Sequence, residues 1–274
     1  MGTKRILLLN PPGAELYLRD YYCSKISKAN YIYQPVDLLM LSGILHGHYD
    51  LTVIDAIIAR LNPQECLTRV LAAEPDAIIC LTGAVSCEED LAFLRGIRQR
   101  RRAPIAASGD MLLENGADLL RREDCLDAII LDFTSSDILK FLEGADSPLD
   151  TITYKSGSEI VPARTARARG EFTIPVPRHE LFLSRRYTHP FIRRNPMATV
   201  LTDYGCPFRC TFCVMSELGY KYRSVENVLD ELGHVARLGI REIYFDDQTF
   251  GAQKPRTLEL CHRMAVELPR MGWA

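Results

Sequence analysis

The stretch ATVLTDYGCPFRCTFC, residues 198–213, runs an apolar, β-prone segment straight into three cysteines spaced C-x-x-x-C-x-x-C: Cys206, Cys210 and Cys213. The first half predicts a strand and the second a loop. Beyond it, Ser224 can cap a helix on which Val225, Val228, Leu232 and Val235 share one face. REIYFDDQTF (241–250) reads as the next strand, and PRTLELCHRMAVEL (255–268) as the next helix, with Pro255 in its first turn. MGWA (271–274) ends where a third strand could begin. A strand–loop–helix–strand–helix unit therefore occupies 198–274.

Upstream, residues 4–145 alternate short apolar runs with helical patterns. RILLLN (5–10), LTVID (51–55), DAIICLTG (76–83), PIAASG (104–109) and DAIILD (127–132) have the continuous apolar character of buried parallel strands. Among the intervening segments, PVDLLMLSGILHGH sets Leu38, Leu41 and Leu45 on one helix face. Such alternation predicts an α/β, Rossmann-like, doubly wound parallel sheet over 1–145. Ligands of these sheets bind beyond the carboxyl ends of the strands. That rule puts NPPG (10–13), TGAVS (82–86), SGD (108–110) and DFTSS (132–136) on one rim. Residues 146–197 differ: ITYKSGSEIV predicts a hairpin, and Pro162, Pro175, Pro177, Pro190 and Pro196 follow among many arginines. They read as an interdomain segment.

Bulk properties narrow the function. The 274 residues are 47% hydrophobic and 25% charged, with a formal net charge of -2, a balance that gives no support to nucleic-acid binding. The basic run Arg98–Arg102 closes a helix, where cations suit the negative end of the dipole. No apolar run reaches the roughly 18 residues of a membrane span, and MGTKRILLLNPPG lacks a signal cleavage pattern. Nine cysteines without a signal point to a reducing, cytoplasmic setting. Cys23, Cys66, Cys80, Cys87 and Cys125 are scattered and read as small core hydrophobes.

Three thiolates on one loop suit soft metals. A closed zinc site needs four ligands, which His234 or His262 would have to complete. A cubane iron–sulfur cluster usually takes four cysteines. Three leave one coordination position open, and an open position marks a reactive centre.

C-x-x-x-C-x-aromatic-C between a strand and a helix resembles the radical S-adenosylmethionine (SAM) superfamily. The resemblance implies the first part of a β/α (partial TIM) barrel over 198–274. It implies a 4Fe–4S cluster on Cys206, Cys210 and Cys213, with SAM chelating the fourth iron and yielding a 5′-deoxyadenosyl radical. By the same resemblance, the Phe212 backbone meets the adenine, and Asp246 or Asp247 holds the methionine ammonium by charge-assisted hydrogen bonds. An electron donor such as flavodoxin or ferredoxin is the implied partner.

LLLNPPG, PVDLLMLSGIL, LTVIDA and PDAIICLTG, with the approach TIPVPRHELF…YTHPF…MATVLTDYGCPFRCTFC, are similar to the cobalamin-binding class of these enzymes. The chain lacks D-x-H-x-x-G, so it offers no histidine as lower cobalt ligand. SGD retains one glycine of an expected pair, and LDFTSS replaces an acidic glycine loop. Where cobalamin binds, Gly83, Ser86, Ser108 and Gly109 are the small residues that let its tail approach. The implied activity is methylation of an unactivated carbon on a small-molecule, lipid or peptide substrate. Radical cyclisation without methyl transfer, and a non-catalytic cobalamin- or metal-binding module, are the alternatives. A complete barrel takes about 250 residues, so the expectation is a product that continues past Ala274.

Overall fold

The computed structural model describes residues 3–164 and 168–274; Met1 and Gly2 of the amino-terminal run and 165–167 of the interdomain segment lie outside the described residues. Two compact units are present, one formed by residues 1–30 and 37–165, the other by 31–36 and 166–274.

The first unit begins with β1 (Arg5–Asn10) and a small hairpin, β2 (Tyr17–Leu18) with β3 (Lys25–Ile26). There follow α1 (Val36–Leu45), β4 (Asp50–Asp55), α2 (Ala56–Ala59), α3 (Pro63–Ala72) and β5 (Ala77–Leu81). Then come α4 (Cys87–Arg98), β6 (Ile105–Ser108), α5 (Leu112–Arg122), β7 (Ala128–Ile130) and α6 (Asp137–Gly144). The unit closes on β8 (Ile152–Ser156) and β9 (Glu159–Val161). The sheet order is β4-β1-β5-β6-β7-β8-β9, parallel as far as β7. Both sides of β1 are paired, Leu7 with Thr52 and with Ile78, and the order reverses between β1 and β5.

Burial explains the apolar runs. Leu7, Leu9, Ile78, Cys80, Ile105, Ala107 and Ile129 pack in one core with Val70, Leu94, Ile97 and Leu120 from the helices. Each large aliphatic side chain buried this way contributes about 1.5–3 kcal/mol. The helix α1 is buried on every side, not on the one face that Leu38, Leu41 and Leu45 define. The hairpin read at Ser156–Gly157 forms as β8 and β9, and it extends the first sheet as an antiparallel edge. The first unit thus reaches past 145. Cys66, Cys80 and Cys125 are buried as expected, Cys87 is half-buried, and Cys23 is exposed although its neighbours Tyr21 and Ser24 are buried.

In the second unit, β10 (Ala168–Phe172) and a 3-10 turn (His179–Phe182) precede β11 (Ala198–Val200) and β12 (Asp203–Gly205). Next come α7 (Met215–Leu218), β13 (Gly219–Arg223), α8 (Val225–Arg237), β14 (Glu242–Phe245), α9 (Lys254–Glu267) and β15 (Gly272–Trp273). The single strand expected over ATVLTDYG is two. β11 joins the parallel sheet β11-β14-β15, whereas β12 turns away to pair with β13 in the sheet β10-β13-β12. Ala198, Val200, Ile243 and Phe245 pack on Val228, Leu232, Val235 and Leu260 of the two helices. Ser224 caps α8 by accepting the Asn227 N–H at 3.2 Å. The chain therefore carries a Rossmann-like sheet followed by the first β/α repeats of a barrel. Among the described residues no helix is long and apolar enough to cross a membrane.

Candidate cluster loop and strand rim

The turn Leu201–Asp203 carries the cysteine loop, and side chains from three elements satisfy its backbone. The Asp247 carboxylate accepts from the N–H groups of Thr202 (2.7 Å) and Asp203 (2.8 Å), and from Thr202 Oγ1 at 2.6 Å. Arg223 Nη1 donates to the Leu201 carbonyl at 2.9 Å, and Arg256 Nη2 to the Thr202 carbonyl at 3.0 Å. Arg256 also pairs with Asp203 at 2.7 Å, and Tyr220 donates its hydroxyl to Asp203 at 3.0 Å. Arg223 is 0% exposed and pairs with buried Glu231, which meets His179 Nε2 at 2.7 Å. Burial pushes the Glu231 carboxyl up, but the Arg223 guanidinium and then His179 outweigh it and hold the pKa low. Burial, followed by repulsion from Asp203, pushes Asp247 up to about 7. Burial also raises Asp203 and Tyr220.

From that frame the loop leaves and returns at one point. Cys206 N–H donates to the Gly219 carbonyl at 2.9 Å. Gly205 has φ +78, and a Cβ there would lie 2.0 Å from that carbonyl oxygen, so only glycine permits the closure. Cys210 is exposed, Cys206 and Cys213 are half-buried, and Phe212 is 91% exposed. Among the described residues no three His, Cys, Asp or Glu side chains converge on one metal position, so the thiols share a loop without meeting at one point. The donor set itself fits an iron–sulfur cluster: three soft ligands on a solvent-facing loop whose two ends are fastened together. His234 is engaged by Glu180 at 3.0 Å.

At the end of β14, Asp246 is 2% exposed and its N–H donates to the Val200 carbonyl at 3.0 Å. Strand alternation puts it on the face of Tyr244, opposite the helix-packed Ile243 and Phe245. Asp247, the other acidic residue read from FDDQTF, spends most of its acceptor capacity on the turn.

In the first unit, NPPG, TGAVS, SGD and DFTSS follow β1, β5, β6 and β7 and so share the carboxyl rim. Their small residues contact the protein's own atoms. Gly109 has φ +151, and a Cβ there would meet the Thr82 carbonyl oxygen at 1.8 Å; one at Gly83 would meet Ser24 Cβ at 2.6 Å. Ser108 is bonded to Asp37, and Ser86 donates to Asp90 at 2.7 Å. Asp110 clasps the rim, accepting from the N–H groups of Ser24 (2.6 Å) and Ala84 (2.9 Å).

Neither Arg19 nor Asp90 belongs to a motif legible in the sequence, whereas their partner Asn10 opens the NPPG rim segment. The Arg19 side chain is wholly buried; it pairs with Asp90 at 2.6 Å and donates to Asn10 Oδ1 at 2.8 Å and the Pro11 carbonyl at 3.0 Å. Its signal was a lone cation in YLRDYY, but the partner lies 71 positions away. Asp37 was missed too, although an acid inside the apolar run PVDLLML was visible.

No protein-family model matches the chain. Two solved structures, OxsB and TsrM, share this fold. OxsB with aqua-cobalamin and S-adenosylmethionine bound superposes with TM-score 0.73 at 17% identity, over 99% of this chain and 38% of that one. TsrM from Kitasatospora setae, a radical SAM methyltransferase with cobalamin and a 4Fe–4S cluster bound, gives 0.67 at 19%, over 96% and 52%. An uncharacterized methyltransferase of Pyrococcus horikoshii, PH0819, is 26% identical over 286 residues. That alignment takes in all of this chain and 60% of the relative, so the chain spans under two thirds of each of these three proteins.

Proposed function

We propose that this chain forms the cofactor-binding part of a cobalamin-dependent radical SAM methyltransferase acting on an unactivated carbon. The observation that carries the reading is the pinned, solvent-facing loop with Cys206, Cys210 and Cys213, launched by β12 just after the parallel strand β11. The fold shared with OxsB and TsrM supports it.

In this reading the cluster would supply the electron that splits SAM, and cobalamin the methyl group. The three cysteines hold the cluster, and the tie between Cys206 and Gly219 keeps their spacing. Phe212 offers its backbone to the adenine. Asp246, buried at the strand end beside the turn, receives the methionine ammonium, while Asp247 holds the turn rigid. Buried Arg223 and half-buried Arg256 keep that turn's carbonyls fixed behind the loop. On the first sheet, the rim residues Gly83, Ser86, Ser108 and Gly109 bound the cobalamin site. The substrate is a small molecule, lipid or peptide, and the electron donor is a flavodoxin or ferredoxin.

Anaerobic reconstitution with iron and sulfide tests this. About four irons and four sulfides per chain are expected, with brown cluster absorbance lost in Cys210→Ala. Asp246→Ala should weaken SAM binding to the reconstituted protein, read as loss of the SAM-induced change in the cluster's EPR signal. Zinc without sulfide in the protein as purified and after reconstitution would sink the proposal.

A further inference from the structure

Asp37 stands in the first turn of α1 and is 0% exposed. Its Oδ2 accepts from the hydroxyl of Ser108, the last residue of β6. Its Oδ1 is buried and meets no hydrogen-bond partner among the described residues. A buried polar atom left so costs about 1–3 kcal/mol. Two more carboxyl groups, Asp20 and Asp110, bear on it, and Lys25 lies 3.9 Å from Asp20. Burial, added to by Asp20 and Asp110, pushes Asp37 up to about 8. The group therefore keeps its proton at neutral pH. A neutral acid bonded through one oxygen has an O–H to donate.

The location is informative. Ligands of doubly wound sheets favour the point where strand order reverses, here between β1 and β5. That point is filled: Arg19 links Asn10, Pro11 and Pro12 of the β1 loop to Ser86 and Asp90 beyond β5. The orphaned acid stands one strand over, bonded to the last residue of β6.

We propose that Asp37 is a ligand-reading residue whose carboxyl donates to a neutral acceptor, a carboxamide oxygen or azole nitrogen, on a corrinoid held over the end of β6. The inference rests on the cobalamin reading above. Titrating cyanocobalamin into the reconstituted full chain and reading Kd by calorimetry tests it. Asp37→Ala should weaken binding about tenfold, the equivalent of one hydrogen bond. Asp37→Asn, which keeps a donor, should stay within about threefold.

If Asp37→Ala does not fold, the pH profile decides. Wild-type affinity should fall above about pH 8 as the donor proton leaves, while Asp37→Asn stays flat. A merely structural carboxyl would leave the two profiles parallel. Unchanged Kd in Asp37→Ala, or parallel profiles, overturns the inference alone. Wild-type protein that holds its cluster but takes no cyanocobalamin overturns it together with the cobalamin half of the proposed function, and leaves the SAM half standing.

Discussion

Asp247, at the end of β14, receives the backbone N–H groups of both Thr202 and Asp203, 45 and 44 positions earlier. One carboxylate thus joins the second barrel strand to the turn that launches the cysteine loop. Asp247→Ala would leave two buried N–H groups orphaned. A loss of about 2–4 kcal/mol in urea unfolding is expected, with a lower yield of reconstituted cluster.

Gly205→Ala should be as damaging to the loop and gentler on the rest. The added methyl lies 2.0 Å from the Gly219 carbonyl oxygen, so the tie between Cys206 and Gly219 must open. Cluster content should drop while far-UV circular dichroism is kept. Retention of full iron and sulfide would show that the pinned loop is dispensable.

Arg223 and Glu231 form a fully buried pair behind the turn. Removing one partner strands the other charge, so Arg223→Met should cost about 3–5 kcal/mol. The double variant Arg223→Met/Glu231→Leu should recover much of that loss, because both desolvated charges are gone. Chemical denaturation of the three proteins checks both statements.

Stability should also depend on pH through Asp37. Its folded pKa of about 8 lies above the unfolded value of about 3.9. Between these values the folded state binds the extra proton, so stability falls as pH rises from about 4 to about 8. The slope from this group approaches 1.4 kcal/mol per pH unit, roughly. Asp203 and Asp247 are raised as well and add in the same direction. The difference between wild type and Asp37→Asn isolates the Asp37 part, and it should vanish below about pH 4.

The amino-acid order alone determined the alternation of strands and helices, because a parallel strand buried on both faces must be an unbroken apolar run. RILLLN and DAIICLTG are such runs. It also determined the cysteine spacing, since three ligands on one loop are a local matter. The cap at Ser224 and the first-turn Pro255 were legible for the same reason.

What only the tertiary structure decided were relations between distant residues. ATVLTDYG carries one continuous β pattern, yet Arg223, Arg256 and Asp247 bend it into two strands by binding the turn's backbone. The hairpin at 152–161 was visible, but whether it capped the first sheet depended on pairing with β7. The acids of FDDQTF looked alike until folding set Asp247 on the turn's N–H groups. Arg19 and Asp90 became partners only when β1 and β5 lay side by side. Local pattern reports what a residue can bury, whereas charge pairing and orphaned oxygens depend on who arrives from the other end of the chain.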